Sequence, residues 1–325
     1  MYATSRKKEI SILSQLFNLL YLSHYQRYNH AGMEGIDDCR GIPFQWENLR
    51  SGERYIRVDK MLFPCPPTVN VLTFPPNKEV ITVLGKQMAR IVLEHDFSYV
   101  SKSGYGVRTS EAEAMKLVFE HTSVPVPEVL VTCFDGDEGN IHMTTVPGTC
   151  LERKWDMLDV ESKKSLCLQL WDLISKWREI PRPPKIDGIF QCAADGSPSR
   201  DPLLEDLNSP PRPLMSDSEL RARIYERYLN FRGLHYEHKL PNMLPRSNRS
   251  VFTHGDVSSR NIMVNDQNTV TGILDWEYAG WYPDYWEYAQ IMKPAFHGDF
   301  QDWMGRTAPQ TWNLAGINAS RTALF

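Results

Sequence analysis

Asp256, Asn261 and Asp275 are the residues of this chain whose types and spacing could do chemistry. They lie in the run FTHGDVSSRNIMVNDQNTVTGILDWE, with Asn261 five residues after Asp256 and Asp275 fourteen after Asn261. One carboxylate can take the proton of an acceptor hydroxyl. An amide and a second carboxylate are both oxygen donors, and oxygen donors suit a hard cation that keeps part of its water shell. Phosphoryl transfer needs these parts together, because its catalysis rests on positioning and on stabilising charge.

The elements that must position them can be read from the same stretch. Ile262-Met263-Val264 is a short apolar strand, Asn265 to Asn268 is rich in turn formers, and Val270 to Leu274 is the returning strand. An antiparallel hairpin brings its open ends together, so Asn261 and Asp275 are predicted side by side. Asp256 then lies on the loop leading in, with His254 as a structural neighbour that holds that loop. The tripeptide alone is weak evidence. It recurs at His297-Gly298-Asp299, where Met304 stands five residues past the Asp and no hairpin follows, so the second copy reads as chance.

The segment Phe252 to Pro294 resembles the aminoglycoside phosphotransferase-like family, and GILDWEYAGWYPDYWEY is especially similar to its fungal branch. The resemblance spans roughly residues 98–294. It implies an α+β, two-lobed protein-kinase-like fold with a small antiparallel-sheet N-lobe and a mostly helical C-lobe. It implies ATP and Mg2+ as cofactors. Asp256 would be the catalytic base, with Asn261 and Asp275 as magnesium ligands. Upstream, the resemblance makes Lys102, at the end of a strand from Phe97, the phosphate-binding lysine, and Glu113 of the helix SEAEAMKLVFEH its partner. IHMTTVPG at 141–148 resembles the hinge strand, where backbone groups around Met143 and Thr145 would read adenine. Thr144 stands where the family often has an acidic residue.

The chain also departs from that pattern. No glycine-rich phosphate loop precedes Lys102; the strands Val80 to Leu84 and Gln87 to Leu93 are joined by Gly85-Lys86. Phe300 to Phe325 does not resemble the family's closing helices. The expected organisation is therefore an N-terminal extension over 1–65, partly helical, an N-lobe and hinge over 66–148, a C-lobe over 149–297 and an atypical tail over 298–325. Residues 30–80 read as irregular, 160–180 and 216–232 as helices, and the proline-rich 181–213 as a long loop.

Composition narrows the class. A net charge of −4 and a pI near 6.2 argue against a nucleic-acid partner. Six scattered cysteines without a CxxC pair read as reduced thiols of a cytoplasmic protein. Ile10, Leu13, Phe17 and Leu20 fall at helical spacing behind Arg6-Lys7-Lys8. That stretch is too short to span a bilayer, so an amphipathic helix is expected and no membrane partner. The expected function is ATP- and magnesium-dependent transfer of phosphate to a hydroxyl of a small molecule. The competing expectation is a catalytically inactive kinase-like protein that binds a nucleotide or a partner. Asp256, Glu277, Asp284 and Glu287 would suit a cationic acceptor such as an amino sugar, unless Asp284 and Glu287 merely cap or solvate the following helix.

Overall fold

The computed structural model describes residues 41–65, 78–87, 89–293 and 298–324. The amphipathic helix expected near the N-terminus lies outside them. Two compact units divide the chain, Met1–Val107 with Val129–Thr145, and Arg108–Glu128 with Val146–Phe325. Among the described residues no helix is long and apolar enough to cross a membrane.

The first unit contains β1 (Ile42–Pro43), β2 (Arg54–Val58), β3 (Met61–Pro64), β4 (Lys78–Gln87), β5 (Arg90–His95), β6 (Tyr99–Tyr105), β7 (Val129–Asp135) and β8 (Glu138–Thr144). They form one eight-stranded sheet in the order β1-β3-β2-β4-β5-β6-β8-β7, antiparallel throughout. Along β5 buried and half-buried residues alternate, the period-two pattern of a strand with one face on a core. That core gathers Leu49, Tyr55, Leu62, Ile81, Val83, Ile91 and Leu93.

Three expectations change here. Residues 42–64 are not irregular and do not belong to a separate extension ending at 65, because β1, β2 and β3 are strands of the sheet. Their turns account for the Gly and polar residues that suggested loop. Gly85-Lys86 is not a turn either. β4 runs on to Gln87, which pairs with Arg90, and Gly85 is absorbed at a shift of register. The strand carrying Lys102 continues to Tyr105. Gly104 there has φ +126°, and a Cβ added to it would collide with the carbonyl of Ala89.

The second unit is mostly helical. Its helices are α1 (Thr109–His121), α2 (Leu151–Lys154), α3 (Val160–Arg178), α4 (Asp217–Asn230), α5 (Leu240–Met243), α6 (Trp286–Ile291), α7 (Phe300–Thr307) and α8 (Ala315–Leu324). Helix α3 starts where the Asp159 side chain accepts the Ser162 N–H at 2.7 Å. It buries the stripe Leu166, Leu170, Leu173 and Trp177. Short strands fill the rest: β9 (Thr149–Cys150), β10 (Cys192–Ala193), β11 (Ser250–Thr253), β12 (Ile262–Val264), β13 (Val270–Ile273) and β14 (Gly280–Pro283). They make two three-stranded sheets, β10-β14-β11 and β13-β12-β9.

The stretch read as an atypical tail is two packed helices. Met304 of α7 is fully buried, and its carbonyl accepts the Trp171 indole N–H from α3 at 3.1 Å. Ile317 of α8 is fully buried and the helix packs on α5 and α4. The second HGD also has a task. Asp299 accepts the indole N–H of Trp155 at 2.7 Å and of Trp303 at 2.9 Å, and pairs with Lys163 at 3.0 Å. Small residues in α8 (Ala315, Gly316, Ala319) masked the helix in the sequence, yet they permit close approach. A Cβ at Gly316 would meet the Met243 backbone at 2.5 Å.

Candidate active site

The loop between β11 and β12 is held from beneath by one carboxylate. Glu287 is fully buried in α6. Its Oε2 accepts the His254 N–H at 2.7 Å and the Trp177 indole N–H at 3.1 Å, and its Oε1 accepts the Gly255 N–H at 3.0 Å. Three donors compensate the buried charge. Gly255 has φ +83°, where a side chain would also crowd the Tyr278 carbonyl. His254 has no exposure and closes the loop on itself. Its Nδ1 accepts the Asp256 N–H at 3.1 Å, so Nε2 carries the proton and donates to the Leu274 carbonyl at 3.0 Å. Trp276 packs edge-on against His254 and Trp177, with ring centroids 4.4 and 5.5 Å away.

Above this support lie the polar residues read from the sequence. The hairpin has the expected register, Ile262 opposite Ile273, and the Leu274 N–H donates to the Asn261 carbonyl at 2.8 Å. Asn261 and Asp275 therefore flank the open end of one hairpin. The Asn261 amide nitrogen donates to the Asp256 carbonyl and to its Oδ2, both at 3.0 Å, which leaves the amide oxygen for a cation. Asp275 has φ +63°, a left-handed conformation that costs energy in a non-glycine residue and clusters at functional positions. Oxygen atoms of Glu111, Asp275 and Glu277 all lie within 4.8 Å of one another. Carboxylates at that separation repel one another, and a cation among them would lower that repulsion. An all-oxygen set fits Mg2+ rather than a softer metal.

Glu111 and Glu113, the latter expected to partner Lys102, differ in their surroundings. Both are on α1, but Glu111 is buried with Met115 and Val118, while Glu113 is about two-fifths exposed and pairs with Lys116 at 2.9 Å. Helical periodicity contained the signal: 111, 115 and 118 share a face, whereas 113 falls with Lys116 and Glu120. Glu287 carried no such signal, because its burial with every other residue of its helix is set by the fold. Its role as loop support replaces the reading as a helix cap or an acceptor ligand. In the first unit, Lys102 lies mid-strand in β6, opposite Val92 and Ile141, and is 9% exposed. Met143 is a buried residue of β8, and Thr145 follows that strand, half-buried.

The model of the phosphotransferase enzyme family matches residues 107–316, more than half of the 325-residue chain, and the chain belongs to that family. Its fold is α+β, an antiparallel-sheet unit with a mostly helical one. Similar solved structures include the streptomycin–ATP ternary complex of APH(2'')-IIa, with TM-score 0.48 and 14% identity, covering 75% of this chain and 80% of that one. An aminoglycoside-3'-phosphotransferase of type VIII gives TM-score 0.48 and 16% identity, over 77% and 93% of the two chains. A macrolide 2'-phosphotransferase type I gives 0.45 and 13%, over 75% and 83%. No curated protein sequence matches the chain significantly.

Proposed function

We propose that the protein transfers the γ-phosphate of ATP to a hydroxyl of a small molecule, in a magnesium-dependent reaction. The supporting observation is the hairpin that sets Asp256, Asn261 and Asp275 on one Glu287-supported platform. Magnesium, when bound, would neutralise phosphate charge; the Asn261 amide oxygen and the carboxylates of Asp275, Glu277 and Glu111 are the groups to hold it. Asp256 orients the acceptor and takes its hydroxyl proton. The hydroxyl oxygen forms its bond to the γ-phosphorus as the bond from that phosphorus to the bridging oxygen breaks, and ADP leaves. Lys102 is assigned to the nucleotide phosphates, and the backbone of Met143 and Thr145 to adenine.

Two measurements test this reading. Nucleotide affinity should tighten with magnesium, and Asp275→Ala should remove that dependence; equal affinity with and without the metal in the parent protein contradicts it. Once an acceptor is found, Asp256→Ala should lower kcat by about 10²- to 10⁴-fold while leaving nucleotide affinity unchanged. The ion pair that Arg260 makes with Asp256, at 2.6 Å, favours a second reading, nucleotide binding without turnover. Magnesium-dependent binding with no ATP consumption across a broad acceptor screen would select it.

A further inference from the structure

The four carboxylates that suggested a cationic acceptor are committed elsewhere. Glu287 is buried beneath the loop. Glu277 converges with Asp275 and Glu111. Asp284 has one carboxylate oxygen buried, and its charge with those of Asp217 and Arg221 bears on Tyr285. Asp256 is already answered by Arg260, whose Nη2 lies 2.6 Å from Oδ2. The guanidinium is 57% exposed while the carboxylate is 18% exposed, so the charge that an incoming acceptor meets is positive.

Its neighbours have the same sign. Lys293 is close enough to feel the charges of Asp256, Arg260, Arg321 and Asp201. Arg321, in α8, donates to the Ala289 carbonyl at 2.9 Å and lies within 3.4 Å of the Gln290 amide oxygen. Asp201 is the one carboxylate of that group besides Asp256. It is buried and takes up the Gln290 amide N–H at 2.5 Å and the Leu203 N–H at 2.9 Å. Among the described residues Asp256 is the only side-chain partner of Arg260. One edge of a guanidinium thus holds the base, and the rest of its fork can grip a planar or tetrahedral oxyanion.

We propose that Arg260 is a specificity residue that selects an acceptor carrying an oxyanion, a carboxylate or a phosphate, near the hydroxyl to be phosphorylated. The proposal rests on the phosphotransferase reading, because it places the acceptor at Asp256. A bound oxyanion also draws Arg260 partly from Asp256, which couples recognition to release of the base.

The test is binding, measured by ligand-observed NMR on the full chain with magnesium and a non-hydrolysable ATP analogue. The probes are glucose, glucuronate, glucose 6-phosphate and glucosamine, which differ chiefly in charge. At least one anionic probe should bind tenfold or more tightly than glucosamine, and glucuronate against glucose 6-phosphate tells carboxylate from phosphate. Arg260→Ala should erase the preference, Arg260→Lys should keep part of it, and Arg260→Glu should invert it. A merely structural Arg260 would not invert it. Circular dichroism and thermal unfolding check that each variant folds. Glucosamine binding as tightly as the anions, a preference that survives Arg260→Ala, or no binding of any probe overturns the proposal. Magnesium-dependent nucleotide affinity of the parent protein reports separately on the phosphotransferase reading.

Discussion

Glu287 carries the strongest residue-scale consequence. Both oxygens of this fully buried carboxylate are engaged, Oε2 by two N–H groups and Oε1 by one. Glu287→Gln keeps the shape but turns an NH2 group toward at least one of those donors. Leaving a buried donor of a charged pair unmet costs about 3 kcal/mol, so the variant should unfold at markedly lower denaturant. Because the donors are the backbone of His254 and Gly255, kcat should also fall at least tenfold. Denaturant melts run beside ATP-consumption assays check both, and an unchanged melt would mean that the loop is supported by other contacts. Arg260 and Asp256 differ from this pair in kind, since their ion pair opens to solvent and is available for exchange with a ligand.

At the scale of elements, α7 is fastened through Asp299. Burial raises the carboxyl pKa, but hydrogen bonds from Lys163, Trp155 and Trp303 outweigh that and hold it below the ordinary range. The folded pKa therefore lies under the unfolded one, about 3.9. The stabilisation is present in full above the unfolded value and is lost as pH falls through the folded value. Asp299→Asn should cost about 1 kcal/mol at neutral pH, discounted because the side chain is 46% exposed. The difference between variant and parent should vanish in acid below that folded pKa. Thermal melts at stepped pH check it; a gap that does not shrink as the pH is lowered would assign the effect to packing. The β12–β13 hairpin works by register instead. Its ends coincide because Ile262 faces Ile273, and the Ile273 N–H also reaches the Pro125 carbonyl at 2.9 Å, tying it to the segment after α1. Glu111 of α1 and Asp275 after β13 also meet in one cluster.

At the scale of the whole molecule, binding should appear as stability. A ligand that binds only the folded chain adds RT ln(1 + [L]/Kd), about 2.7 kcal/mol at a hundredfold excess over Kd. Magnesium-ATP at that excess should raise the unfolding temperature by several degrees, and Asp275→Ala should remove the magnesium-dependent part. Scanning fluorimetry with ATP alone, magnesium alone and both separates the contributions; additive shifts without synergy would contradict a shared site. The net charge of −4 offers no general attraction to an anionic acceptor. Any such preference must come from local cations such as Arg260.

The sequence by itself determined that Asp256, Asn261 and Asp275 would lie together, because they are joined by a short hairpin whose geometry follows from local pattern. It also determined α3 and α4, whose apolar stripes repeat at helical spacing. The strands at 42–64 and the two helices after 298 were not legible. Short strands bury little pattern, and small residues signal close packing only once the partner is known. Beyond the helix face that Glu111 shares with Met115 and Val118, tertiary structure decided which carboxylate does what. Glu111, Glu113, Glu277 and Glu287 are the same chemical group in a sequence. Burial and donors make Glu287 a support, convergence sets Glu111 and Glu277 in one carboxylate cluster with Asp275, and exposure leaves Glu113 a surface partner of Lys116. It decided too that the charge presented beside Asp256 is that of Arg260, because an ion pair across one turn is set by side-chain direction and not by spacing alone.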